Sequence, residues 1–122
     1  MIECDISSLE KYKRIDLIGI GGISMSAIAE TLKAWGYIVT GSDLHESEIT
    51  KALENDGIKV AIGHDIELAK NADLIIFNAA IPETDPEMVV ALENNIDVIG
   101  RGKFVGFLTN SLNVFITLSK VL

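Results

Sequence analysis

The chain has 122 residues, 48% hydrophobic and 23% charged, and 10 Lys plus Arg against 18 Asp plus Glu leave a formal charge of −8. That length holds one core, the apolar content excludes intrinsic disorder, and the acidic balance argues against a broad nucleic-acid or anionic-membrane surface, which needs positive charge. A single cysteine, Cys4, excludes an internal disulfide and argues against a Cys-based zinc site; no apolar run approaches the roughly 20 residues of a membrane span, so a cytoplasmic chain is the expectation.

Short apolar runs alternate with stretches of helical spacing along the whole chain, the pattern of a parallel sheet with crossover helices. Arg14 to Ile20 reads as the first strand. Ser24 to Trp35 follows as a helix that sets Met25, Ile28, Ala29, Leu32 and Trp35 on one face, with Gly36 ending it. A strand at Tyr37 to Thr40, a helix from Glu48 to Asn55, a strand at Ile58 to Ile62 and a brief helix at Ile66 to Lys70 come next. Leu74 to Phe77 is the fourth strand; after a loop with Pro82, Pro86 suits the first turn of a helix running to Asn94. Asp97 to Ile99 forms a fifth strand, Lys103 to Thr109 a short helix and Val114 to Leu118 a sixth strand. The fold class predicted is α/β, a Rossmann-like doubly wound three-layer domain over residues 1–122 with a mainly parallel sheet of five to six strands, both faces covered by helices.

Gly19-Ile20-Gly21-Gly22-Ile23-Ser24-Met25-Ser26 joins the first strand to the first helix, where an α/β sheet places an anion. Phosphate needs close backbone approach and unpaired N–H groups; glycine removes the Cβ obstacle and a helix start supplies orphan donors with a positive dipole end. Gly21, Gly22, Ile23 and Ser24 are the candidate amide donors to a pyrophosphate, with hydroxyls from Ser24 and Ser26. A tight turn with nothing bound is the alternative. Against the dinucleotide pattern G-x-G-x-x-G, Gly19 and Gly21 match the first two places and Ser24 stands in the third.

Asp43 closes the second strand about 20 residues past the loop, where a carboxylate accepts from ribose hydroxyls or a base N–H, with Ser42 beside it in a similar role. Asp43 as a turn or helix cap is the competing assignment. His64 after the third strand, Asn78-Ala79-Ala80-Ile81 after the fourth, and Arg101 and Lys103 after the fifth lie at strand ends that face the same crevice. Their ordinary alternatives are an exposed loop histidine, a turn-forming asparagine and surface charges. Glu46, Glu48, Glu83, Asp85 and Glu87 read as scattered loop and helix-start acids, and no catalytic or metal-binding residue is expected.

The stretch Leu17 to Glu30 resembles the N-terminal signature of the Mur ligases, and within them the branch that joins L-alanine to UDP-N-acetylmuramate. Gly36-Tyr37, Gly41-Ser42-Asp43, Gly57, Gly63-His64, Ala80-Ile81-Pro82, Asp85-Pro86-Glu87 and Val98-Ile99-Gly100-Arg101 follow the same pattern in order. Ser24 stands where the family has glycine. The resemblance spans residues 12 to 117 and implies a first domain, Rossmann-like, that holds the UDP part of UDP-N-acetylmuramate in a cytoplasmic enzyme of peptidoglycan synthesis. It places Gly21, Gly22, Ile23, Ser24 and Ser26 on the diphosphate, Asp43 and His64 toward ribose or uracil, and Asn78, Ala79, Ala80 and Ile81 along the ligand, while Arg101, by its place after the fifth strand, suits neutralising a phosphate or sugar carboxylate. Relatives continue into a P-loop, an ATPase domain that takes ATP and Mg²⁺, and a C-terminal domain. No glycine follows Gly106 here, so this chain alone is expected to bind without ligating and to need no cofactor of its own. Two rival readings are an NAD-type dinucleotide domain and a non-catalytic interaction remnant of the same fold.

Overall fold

A computed structural model of the chain describes residues 3–6 and 8–110. Five strands, β1 (Arg14–Ile18), β2 (Ile38–Asp43), β3 (Lys59–Ile62), β4 (Leu74–Phe77) and β5 (Asp97–Gly100), alternate with the helices α1 (Ile23–Ala34), α2 (Glu48–Asn55), α3 (Ile66–Lys70) and α4 (Pro86–Glu93). A further helix, α5, covers residues 101–110. The strands are all parallel in the order β3-β2-β1-β4-β5. The sheet grows outward from β1 in one direction and then restarts at β4 on its other side, so the ends of β1 and β4 flank the point where connections part to opposite faces.

Period-2 alternation decides which face each strand residue joins. Ile15 and Leu17 of β1, Leu74 and Ile76 of β4 and Ile99 of β5 pack with Met25, Ile28, Ala29 and Leu32 of α1, Leu53 of α2 and Phe104 of α5. Ile18, Ile75, Phe77 and Val98 point the other way, onto Ala69 of α3 and Met88 and Ala91 of α4. Both faces of the sheet are therefore covered, which accounts for strands that read as continuous apolar runs.

Several boundaries depart from the sequence reading. β1 stops at Ile18 because Gly19 takes φ 84°, a left-handed turn that favours glycine and ends the extended run. β2 begins at Ile38 rather than Tyr37 and runs on to Asp43; Gly41 inside it leaves room for the buried Ile20, whose Cβ and Cδ1 occupy the space a side chain there would need. Trp35, expected on the buried face of α1, is 51% exposed, because it is the C-cap with φ −82° and ψ 0° and the helical period has already ended. Gly36 at φ 96° completes that helix end. The expected sixth strand at Val114 to Leu118 lies outside the described residues. No described helix is long and apolar enough to cross a membrane.

Asp16 on β1 is an acid placed among the apolar core residues. It is fully buried, accepts a 2.7 Å hydrogen bond from Thr40 Oγ1, and its Oδ2 has no partner. Burial, aided by repulsion from Glu87 and Asp65 and opposed by the Thr40 bond, pushes its carboxyl up to about 7.

Candidate functional site

The loops at the carboxyl ends of the strands are tied to one another by main-chain bonds. The Gly19 and Ile20 N–H groups both donate to the Ser42 carbonyl (2.9 and 3.0 Å), Asn78 N–H donates to Ile18 O (3.1 Å) and Gly63 N–H to Asp43 O (2.8 Å). The Asn78 side chain folds over the glycine turn: a Cβ built on Gly19 would stand 3.1 Å from its Cβ, and one built on Gly22 3.5 Å from its Nδ2. The Asn78 carboxamide oxygen accepts from Ala80 N–H (3.2 Å), which shapes the loop after β4.

Helix starts differ here. α2, α3 and α4 are each capped by a side chain, from Ser47, Asp65 and Asp85 respectively. α1 starts at the N-cap Gly22 with no side-chain cap, so its first-turn amides from Ile23 onward point into the loop region with the helix dipole behind them. Three expected donors are already engaged, the first being the Gly22 N–H, which donates to the Gly19 carbonyl (3.3 Å). The Gly21 N–H donates to Asp43 Oδ2 (2.9 Å), and the Ser26 hydroxyl donates to the Ile23 carbonyl (2.9 Å). Asp43 thus holds the glycine loop, and its Oδ1 also accepts from His45 N–H (3.2 Å), the turn-capping alternative of the sequence reading. Closeness of packing explains the glycine: a Cβ on Gly21 would meet Asp43 Oδ2 at 2.7 Å and Thr50 Cγ2 at 3.1 Å.

Beside this loop lies a cleft of about 500 Å³, within the range of small-molecule sites. Gly19, Ser42, Asp43, His64, Ala80 and Ile81 all line it, as do Leu44, Pro82, Asp85 and Glu87. Gly21, Gly22, Ile23, Ser24 and Ser26 lie on the neighbouring loop and first turn rather than in its wall, and Ala79 is exposed outside it. Arg101 is not brought to the cleft: it opens α5 at the end of β5, two strands from β1 in the sheet order. Arg101 is not among the residues that line the cleft, and among the described residues no Lys or Arg lines it.

The sequence reading missed the polar floor. Ser42 Oγ donates to the fully buried Glu87 carboxylate, 2.8 Å from both of its oxygens. His64 Nδ1 lies 3.2 Å from Glu87 Oε1 and 3.5 Å from Asp85 Oδ2. Asp85 in turn caps α4, its Oδ1 accepting from the Glu87 and Met88 amides (2.8 and 3.2 Å). Burial raises the Glu87 carboxyl above its ordinary value, against the opposing bonds from Ser42 and His64. Asp85-Pro86-Glu87 is legible as a helix start, but nothing in linear spacing says that this start points at His64 across the sheet end. One ligand atom each from His64, Asp85 and Glu87 lie within 4.8 Å of one another, close enough for a divalent ion, yet each group is already hydrogen-bonded within the protein.

The sequence profile described as "Mur ligase family, catalytic domain" matches residues 14–112. Over 97 residues the chain is 48% identical to a UDP-N-acetylmuramate--L-alanine ligase of Clostridium botulinum, a match covering 80% of this chain and 21% of that protein. The chain thus spans about a fifth of the length of the curated relatives it matches. Among solved structures it is similar to the UDP-N-acetylmuramate-alanine ligase of Thermotoga maritima, with TM-score 0.74 and 31% identity over 84% of this chain and 23% of that one. It is also similar to a UDP-N-acetylmuramate:L-alanyl-gamma-D-glutamyl-meso-diaminopimelate ligase from Neisseria meningitides, with TM-score 0.64 and 30% identity over 76% of this chain and 30% of that one.

Proposed function

The chain belongs to the Mur ligase family, and from that premise we propose that residues 1–122 form a UDP-binding domain that positions UDP-N-acetylmuramate for ligation to L-alanine. The observation that carries this reading is the uncapped start of α1 behind Gly19–Gly22, at the edge of a cleft on the switch point of the sheet. Amides and dipole there suit a diphosphate, and the cleft lined by Leu44, Ile81 and Pro82 suits the uridine. Ser24, within the first turn, adds a hydroxyl donor where the family pattern has glycine. The curated relatives at 44–48% identity are named as L-alanine ligases, which supports L-alanine as the group joined.

In the complete ligase the muramyl carboxylate is activated by phosphoryl transfer from ATP with Mg²⁺, and the alanine amine then displaces phosphate. The 122 residues contain no Gly-x-x-x-x-Gly-Lys-Ser/Thr loop to seat ATP, so this chain's part is to hold and orient the substrate. Its own residues fix the diphosphate and base while the carboxylate end extends from the cleft. Asp43 committed to Gly21 and His45 weighs against the NAD-type reading, in which that carboxylate takes the ribose hydroxyls.

Calorimetric titration with UDP-N-acetylmuramate, UDP and NAD tests the proposal. Binding of both uridine nucleotides, absent for NAD and lost in Gly22→Asp with an unchanged circular-dichroism spectrum, is the expected result. Preference for NAD, or no binding by any of the three, would overturn it.

A further inference from the structure

Four groups on the floor of the cleft, Ser42, Glu87, His64 and Asp85, lie in one connected set of polar contacts. Ser42 Oγ gives its proton to the buried Glu87 carboxylate. Asp85 Oδ1 is taken up by two amides of α4, leaving Oδ2 facing the histidine. His64 Nδ1 thus looks at two carboxylate oxygens, at 3.2 and 3.5 Å, and at no donor. Ionised carboxylates only accept, so beside ionised Glu87 and Asp85 it is Nδ1 that carries the proton. In a neutral imidazole this leaves Nε2 with a bare lone pair. The ring is 39% exposed on the wall of the cleft, and Nε2 makes no protein hydrogen bond among the described residues.

We infer that Glu87 is a positioning residue that fixes His64 as a hydrogen-bond acceptor, and that this acceptor selects nucleotides whose base offers a ring N–H, as uracil does at N3, over bases with a bare ring nitrogen there, as in cytosine. The inference rests on the proposal that the cleft takes the uridine end of a nucleotide, and it adds the group that tells one pyrimidine from another. Two acceptors facing each other repel, so cytidine loses the bond and leaves Nε2 unsatisfied. Burial of Glu87 serves this arrangement: a carboxylate held by Ser42 inside the sheet end cannot swing away, so the imidazole keeps one tautomer and one orientation.

The test compares UDP, CDP and N3-methyl-UDP on the wild-type chain by calorimetry, with the long-range ¹H–¹⁵N spectrum of His64 reporting its tautomer. The expected result is a protonated Nδ1 and a preference for UDP of about tenfold or more over both analogues, the scale of one hydrogen bond lost at a half-exposed site. Glu87→Ala should release the tautomer and collapse the preference. Glu87→Gln, whose carboxamide oxygen still accepts from Nδ1, should restore it, which a merely structural role for Glu87 does not predict. Equal affinity for all three nucleotides, or a wild-type His64 protonated at Nε2, would overturn the inference while leaving diphosphate binding intact. Failure of all three to bind would remove the uridine reading together with it.

Discussion

Asp16 makes the fold's stability depend on pH in a direction opposite to that of an ordinary salt-bridged acid. Its carboxyl lies at about 7 in the folded chain against 3.8 for the free group, chiefly because burial penalises the charge. The folded state therefore holds a proton that the unfolded chain has released, so stability falls as pH rises from about 4 to about 7 and then levels. Three pKa steps correspond to a ceiling of about 4 kcal/mol, a large part of a small domain's total. Asp16→Asn keeps an oxygen to accept from Thr40 and removes the titration, at the cost of placing an N–H₂ where Oδ2 now has no partner, about 1–3 kcal/mol. The variant should thus be less stable than wild type near pH 5, and as stable or more so near pH 8, with the two curves converging or crossing near neutrality. Urea unfolding followed by circular dichroism across that range measures both. Glu87 shifts in the same direction and repels Asp16, so the difference between the two proteins reports Asp16 together with its effect on Glu87. A wild-type stability that is flat or rises between pH 5 and pH 7, or an Asn variant with the wild-type slope, would refute the reasoning.

Other consequences are simpler to read. Gly41→Ala puts a Cβ 2.4 Å from Ile20 Cδ1 and 2.8 Å from Leu17 O and should cost about 2–3 kcal/mol in a thermal melt, whereas Gly106→Ala in α5 meets nothing within 4 Å and should gain about 0.5–1 kcal/mol. Ser47→Ala removes the capping box of α2 and should lower stability by about 1 kcal/mol in urea, without altering nucleotide affinity. With no Lys or Arg lining the cleft among the described residues and a net charge of −8, added salt should leave UDP affinity unchanged or raise it as repulsion is screened over about 8–10 Å; a tenfold fall would point to cationic side chains instead.

Most of the fold is legible in the sequence because its signals are local. Helices α2 and α3 and strand β4 carry their own caps, turns and apolar runs, and their ends fall where the sequence puts them. The misplaced ends have tertiary causes: β2 continues to Asp43 because β1 and β3 supply ladder partners through Ser42 and Asp43, which no propensity reveals. The loop residues of the site are legible for the same local reason, a glycine run between strand and helix. Asp43 shows the limit. Its position at the end of β2 is readable, but a carboxylate there serves a ribose or a neighbouring amide equally well, and only the 2.9 Å contact with Gly21 N–H separates the two. Glu87 is harder still, since its partners Ser42 and His64 lie 45 and 23 residues away.

Taken together, these contacts divide the site into two parts with different physics. Near α1 no side chain caps the helix, and the Asp43 carboxylate is spent on Gly21 and His45, so an anion arriving there meets amides and dipole. Across the cleft, Ser42, His64, Asp85 and Glu87 form a connected set of contacts in which two acids sit beside one imidazole. A phosphate placed at that second part would face two carboxylates, which electrostatics forbids; a neutral ring with an N–H would not. A ligand with one anionic segment and one uncharged polar ring, laid in a single direction across the sheet end, satisfies both parts, and the reverse orientation satisfies neither.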